Sequence, residues 1–165
     1  MKIFFAGDHA GFEMKGQLME FVRLLGYEVE DLGPFEPKAG DDYPDYVIPL
    51  ARKIGENPPP APSFIKGGGG GVDLEPRGIV VAGSGQGEII AMNRVKGARA
   101  ALLAPGSQML PLIHASRDHN DSNILSVGAR FCTLEQAKEG IKVWLETPFS
   151  GAERHVRRLE KIEKI

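Results

Sequence analysis

Glu88 follows the run Gly83-Ser84-Gly85-Gln86-Gly87, inside the stretch VVAGSGQGEIIAMN at residues 80–93. Glycines let the main chain turn its N–H groups inward and approach a ligand closely. A carboxylate beside several N–H donors suits an enolization. The carboxylate takes a proton alpha to a carbonyl, and the donors hold the oxyanion that develops. Each half also has a plain structural explanation. Glycine loops make tight strand-to-helix turns, and an acidic residue in a first helical turn offsets the helix dipole. Their combination points to chemistry. The loop lacks the lysine of a Walker phosphate loop, and its G-x-G-x-G spacing fits a dinucleotide fingerprint poorly.

Other residues could join it. GDHAG offers Asp8 and His9, DHND offers His119, and VGAR offers Arg130. Each histidine reads equally as a hydrogen-bonded loop residue. His114 reads as part of a helix face. In RHVRR, Arg154 and Arg158 are spaced i and i+4, so both guanidinium groups share one helix face. A solvated basic face is the ordinary reading of such a run. Two planar forks together with Arg130 would also suit a phosphate monoester.

The elements that position these residues alternate. KIFFAG, YEVEDLG, GIVVAG, ARAALLA and NILSVGA read as strands. FEMKGQLMEFVRLLG reads as a helix with Gly26 at its end. DDYPDYVIPLARKIG reads as a second helix, with Asp42 as N-cap and a kink or break expected at Pro49. GEIIAMNRV, SQMLPLIHASRDH (with Pro111 inside it), TLEQAKEGIKVWLET and the C-terminal SGAERHVRRLEKIEKI complete the helices. Thr133 and Gln136 stand in capping-box register. Strand–helix alternation predicts one doubly wound, Rossmann-like α/β domain over residues 1–165, a parallel sheet of about five strands covered on both faces. Ligands of such sheets sit beyond the carboxyl ends of the strands. Asp8, His9, Glu88 and Arg130 fall there. DHND falls on the opposite edge. A Pro/Gly-rich stretch at about 57–77, with five consecutive glycines at 67–71, reads as a flexible insert.

Bulk properties narrow the classes. With 165 residues, 42% hydrophobic and 25% charged, the chain suits one soluble globular domain. A net charge of -2 gives no argument for nucleic acid or an anionic membrane. A single cysteine, Cys132, excludes a disulfide framework and a cysteine metal site and suits a reducing cytoplasm. No apolar run approaches membrane length.

Taken together, AGDHAGFEMK, DLG, DDYPDY, AGSGQGEIIAMN, GARAAL, HNDSNILSVGAR and ERHVRRLEKI resemble the ribose-5-phosphate isomerase B family, which includes the galactose-6-phosphate isomerase subunits. The motifs stand in family order and cover nearly the whole chain except the insert, which is longer than the connection expected there. The resemblance implies an aldose–ketose isomerase that works through a cis-enediolate, without metal or cofactor, on a phosphorylated sugar. Many members carry a cysteine just before the glycine loop, where this chain has Ala82. The chain resembles the branch that uses the glutamate after the loop. That implies Glu88 as base, Gly83, Ser84, Gly85, Gln86 and Gly87 as substrate and oxyanion contacts, and Ser84 as a residue that could orient Glu88. It further implies His119 as ring-opening acid/base, Asp8, His9 and Asn120 as substrate contacts, and Arg130, Arg154 and Arg158 as phosphate contacts. The family forms homodimers, or tetramers of them, with some sites completed across the interface. The expected reaction interconverts ribose 5-phosphate and ribulose 5-phosphate. A hexose 6-phosphate isomerase (galactose or allose 6-phosphate) and a non-catalytic sugar-phosphate or nucleotide-binding module are the alternatives.

Overall fold

The computed structural model describes residues 1–56 and 75–165. Five strands and six helices alternate along the chain: β1 (Lys2–Gly7), α1 (Phe12–Leu24), β2 (Glu28–Asp31), α2 (Pro44–Gly55), β3 (Arg77–Ala82), α3 (Gln86–Met92), β4 (Ala100–Leu103), α4 (Met109–Asp118), β5 (Ile124–Gly128), α5 (Leu134–Glu146) and α6 (Glu153–Ile162). The strands form one parallel sheet in the order β2-β1-β3-β5-β4.

Alternation within the central strands builds two cores. Ile3, Phe5, Ile79, Val81, Leu125 and Val127 face one layer, with Leu18 and Val22 of α1, Ile113 of α4, and Ile141 and Trp144 of α5. Phe4, Ala6, Val80 and Ala82 face the other, with Val47, Leu50 and Ile54 of α2 and Met92 of α3. Burial on both faces is what makes these strands near-continuous apolar runs. The capping box at Thr133 and Gln136 forms as expected, and Gly26 takes φ 91 just beyond α1.

Two expectations about α2 are corrected. The N-cap of α2 is Tyr43, not Asp42, and Pro44 occupies the first helical position. Pro49 does not break α2: the helix runs on through it because Val47, Leu50, Ala51 and Ile54 bury one face on the sheet. Pro111 costs α4 nothing, because the helix begins at Met109, and a proline in the first turn gives up an N–H that has no intrahelical partner. The insert placed at about 57–77 falls mostly on residues outside the described ones. Its last residue belongs to the sheet: Arg77 opens β3, is 2% exposed, and donates from Nη1 to the carbonyls of Trp144 and Leu145. Among the described residues no helix is long and apolar enough to cross a membrane.

Candidate active site

Three adjacent strands, β1, β3 and β5, deliver their following loops to one edge of the sheet. The chain switches direction of winding around β1 and β3, the place where open α/β sheets leave a crevice. The β1 loop carries Asp8 and His9, the β3 loop carries residues 83–88, and the β5 loop carries Arg130.

Hydrogen bonds weld these loops together. Asp8 is buried, and its carboxylate accepts from Gly11 N (2.9 Å) and from Gly83 N (3.2 Å). Gly83 O accepts from Arg130 N (3.1 Å), and Gly85 O accepts from the Ser126 hydroxyl (3.0 Å). Gly85 caps α3 at φ 77, a backbone region that side chains rarely adopt. Tyr43 lies across the same loop: a Cβ on Gly87 would sit 2.6 Å from the Tyr43 hydroxyl, so any larger residue there would have to displace the Tyr43 ring.

Glu88 enters this crevice from the first turn of α3 and is 3% exposed. Its Oε2 is buried with no hydrogen-bond partner among the described residues. Burial pushes its carboxyl pKa up from the ordinary value, its own backbone N–H opposes that, and the charge of Asp8 adds to it. A buried carboxylate kept short of partners is a stronger base than a solvated one. The expected contact from Ser84 is absent. The Ser84 hydroxyl instead accepts from Gln86 N (3.3 Å), closing the turn rather than orienting Glu88.

His119 and Asn120 lie elsewhere. They follow α4 and precede β5, so they stand at the opposite edge of the sheet. Ala82 pairs with Gly128 and Gly78 with Ile124, which separates the two edges by the four residue steps of β5, roughly 13 Å at ~3.3 Å per residue. The turn that carries them is clamped. Asp121 adopts φ 46, and its carboxylate accepts from Arg117 Nη1 (2.7 Å) and Arg99 Nη2 (2.8 Å). His119 Nε2 lies 3.2 Å from Asp118 Oδ2 and its ring is half exposed.

The start of α6 packs on this turn. The Ser150 hydroxyl donates to Asp118 O (2.7 Å) and lies 2.9 Å from His155 Nδ1. Arg154 Nε donates to His155 Nε2 (3.0 Å), and the rings of His155 and His119 are 4.5 Å apart between centroids. Burial lowers the His155 pKa, and the neighbouring His119 and Arg154 lower it further; Asp118 opposes them and Arg158 adds a little. A neutral His155 that accepts at Nε2 carries its proton on Nδ1, toward Ser150. Arg154 and Arg158 are exposed.

The structure therefore divides the expected residues into two groups. Asp8, His9, the glycine loop, Glu88 and Arg130 share one edge, and His119, Asn120, Arg154 and Arg158 share the other. Sequence reasoning passed over Tyr43 and Asp41, although both lie in the motif DDYPDY. Asp41 is placed against His9, at 2.6 Å between Oδ1 and Nδ1. Among the described residues no group of three or more His, Cys, Asp or Glu side chains is placed to hold a metal ion.

Comparison with known proteins gives a consistent result. Residues 3–162 match the family model described as Ribose/Galactose Isomerase. The chain is 35% identical over 160 residues to ribose-5-phosphate isomerase B of Mycobacterium tuberculosis, covering 97% of this chain and 86% of that one. The crystal structure of ribose-5-phosphate isomerase B from Mycoplasma genitalium with bound ribulose-5-phosphate superposes with a TM-score of 0.83 at 31% identity, covering 99% of this chain and 94% of that one. The enzyme from Thermotoga maritima superposes at 0.81 with 34% identity, covering 99% and 98%.

Proposed function

This chain belongs to the ribose/galactose isomerase family, and from that membership we propose that it interconverts ribose 5-phosphate and ribulose 5-phosphate through a cis-enediolate, with Glu88 as the base. One observation carries the assignment of the base: Glu88 presents a buried carboxylate oxygen with no hydrogen-bond partner among the described residues, beside a glycine loop at the β1/β3 crevice. A residue placed only to offset a helix dipole would gain nothing from that burial.

In the forward direction Glu88 removes the proton on C2 of the open-chain aldose. The electron pair moves into the C1–C2 bond, and the C1 carbonyl oxygen becomes the oxyanion. N–H groups of the glycine loop and the first turn of α3 hold that charge. Glu88 then returns the proton to C1, while the proton on O2 moves to O1, leaving the ketone at C2. Atoms and charge balance without a co-reactant.

The ring must first open, and the phosphate must be held. His119 is the acid/base for opening, Asn120 a sugar contact, and Arg130, Arg154 and Arg158 the phosphate contacts. His119, Arg154 and Arg158 lie at the wrong edge to reach Glu88 of their own chain. We therefore propose a homodimer in which one chain's His119 edge meets the other chain's Glu88 edge, making two composite sites. Relatives named as ribose-5-phosphate isomerases favour a pentose over a hexose phosphate. A free, buried Cys132, whose thiol pKa burial pushes up, suits the reducing cytoplasm in which we place the protein.

Isomerization in deuterated water tests the function. Deuterium should enter C2 of recovered ribose 5-phosphate. Binding without any exchange would show a sugar-phosphate binding module instead.

A further inference from the structure

Asp41 lies in the loop between β2 and α2, turned back by its own N–H on Lys38 O (3.2 Å). Its side chain is only 2% exposed. Burying a carboxylate is unfavourable unless donors meet it. Here the donors come from His9: the backbone N–H at 3.1 and 3.3 Å from the two carboxylate oxygens, and Nδ1 at 2.6 Å from Oδ1. A loop that needed only a turn would be served as well by a neutral or exposed residue.

The contact fixes more than a position. An ionised carboxylate only accepts, so the ring proton must sit on Nδ1. The other ring nitrogen, Nε2, then points away from Asp41 and, in the neutral ring, is an acceptor. The His9 side chain is one-third exposed, so that nitrogen has room to meet a ligand. His9 follows Asp8, whose carboxylate holds Gly83 of the loop before Glu88. The acceptor therefore belongs to the same crevice as the base.

We propose that Asp41 is a positioning residue, which locks His9 as the Nδ1–H tautomer so that Nε2 accepts a hydrogen bond from a sugar hydroxyl. This rests on the isomerase reading and on His9 as a substrate contact. Asp41 itself touches no substrate and acts through the ring.

Two measurements on the full-length protein decide it. Nitrogen NMR of the wild-type histidines at about pH 8.5, above the ordinary imidazole range, should show His9 with its proton on Nδ1. Asp41→Asn should remove that preference. A predominant Nε2–H form in the wild type overturns the proposal, and this readout needs neither a variant nor activity. The second measurement is kcat/KM for ribose 5-phosphate in the wild type, His9→Gln, Asp41→Asn and the double variant. Asp41→Asn should lose roughly 10- to 100-fold, as expected when a contacting group is misplaced by about 1 Å. The double variant should match His9→Gln within about twofold, because independent effects would multiply instead. A double variant reduced by the product of the two single losses overturns the proposal. So does an Asp41→Asn enzyme with wild-type kcat/KM. An unaffected His9→Gln enzyme overturns both the contact and the proposal and leaves Glu88 as base. A wild type without isomerase activity refutes the proposed function, and the tautomer still decides whether Asp41 locks the ring.

Discussion

The two edges of the sheet are prepared differently. At the carboxyl ends of the strands, Glu88 is buried and every loop around it is tied to another loop of the same chain. At the amino ends, the backbone turn is just as firmly held, by Arg99 and Arg117 on Asp121, yet the groups proposed to meet the substrate face outward. His119 is half exposed, and the Arg154 and Arg158 side chains are open to solvent. The difference follows from charge. A base gains strength from desolvation, and burial within its own chain supplies that. Guanidinium groups buried before an anion arrives would lose hydration with nothing to offset it. In the proposed two-chain site, each chain therefore finishes one half-site internally and leaves the other half rigid but solvated.

The largest effect should come from the buried edge. Glu88→Gln keeps the shape and removes the proposed base. Isomerization should fall by at least the roughly 10²–10⁴-fold typical of a positioned acid/base, while the variant still binds ribose 5-phosphate. More than a tenth of wild-type activity in the Gln enzyme would mean that another group takes the proton.

The proposed division of the site between chains gives the next effect. His119→Asn should severely impair turnover of the cyclic sugar phosphate and damage an open-chain substrate less. Each variant alone is weak, but subunit exchange between Glu88→Gln and His119→Asn dimers should restore activity. Random exchange makes half the dimers mixed, each with one intact and one doubly altered site, so recovery should reach roughly a quarter of the wild type. No recovery after demonstrated exchange would place both residues in one chain's site.

Much of this was legible in the residues, and the rest has physical reasons. The strands could be read because burial on both faces turns them into apolar runs, as in Ile3–Phe5 and Ile79–Val81. The carboxyl-end residues could be read because loop order follows strand order. Pro49 misled because propensity is local, whereas the buried face of α2 is a tertiary gain that outweighs one lost hydrogen bond. Arg77 was read as loop because a charged residue beside Gly and Pro carries no sign of the carbonyls of Trp144 and Leu145 that receive it. Tyr43 and Asp41 were passed over because their partners, Gly87 and His9, are distant in sequence.

The arginines test the solvated edge with a smaller loss. Remote phosphate binding can lower the barrier as well as KM. Arg154→Lys keeps the charge and loses the fork and its Nε bond to His155, so it should still be impaired. Arg158→Ala should lose more. Both should equal the wild type on unphosphorylated ribose. Equal losses on ribose and ribose 5-phosphate would return RHVRR to a structural basic face.

The smallest effect is in stability, and the two edges should respond to pH in opposite directions. The folded-state pKa of Glu88 lies above its ordinary value near 4.5. Its contribution to stability is therefore fully present below that value and is lost as pH rises through the folded pKa, when a charge must be held in the crevice. Glu88→Gln, which never ionises, should melt higher than the wild type at neutral pH, by roughly 2–4 °C if the charge costs about 1 kcal/mol in a chain of this size. That gain should vanish near pH 4. His155 works the other way. Its folded pKa lies below the ordinary 6.5, so the unfolded chain takes up the proton first and stability falls as pH drops below 6.5 toward the folded pKa. His155→Gln should therefore lose less melting temperature than the wild type between about pH 6.5 and 5, whatever its loss at neutral pH. Parallel pH curves for the wild type and Glu88→Gln would mean that the Glu88 carboxylate is solvated in the free protein, and the contrast between the two edges would then fail at its buried end.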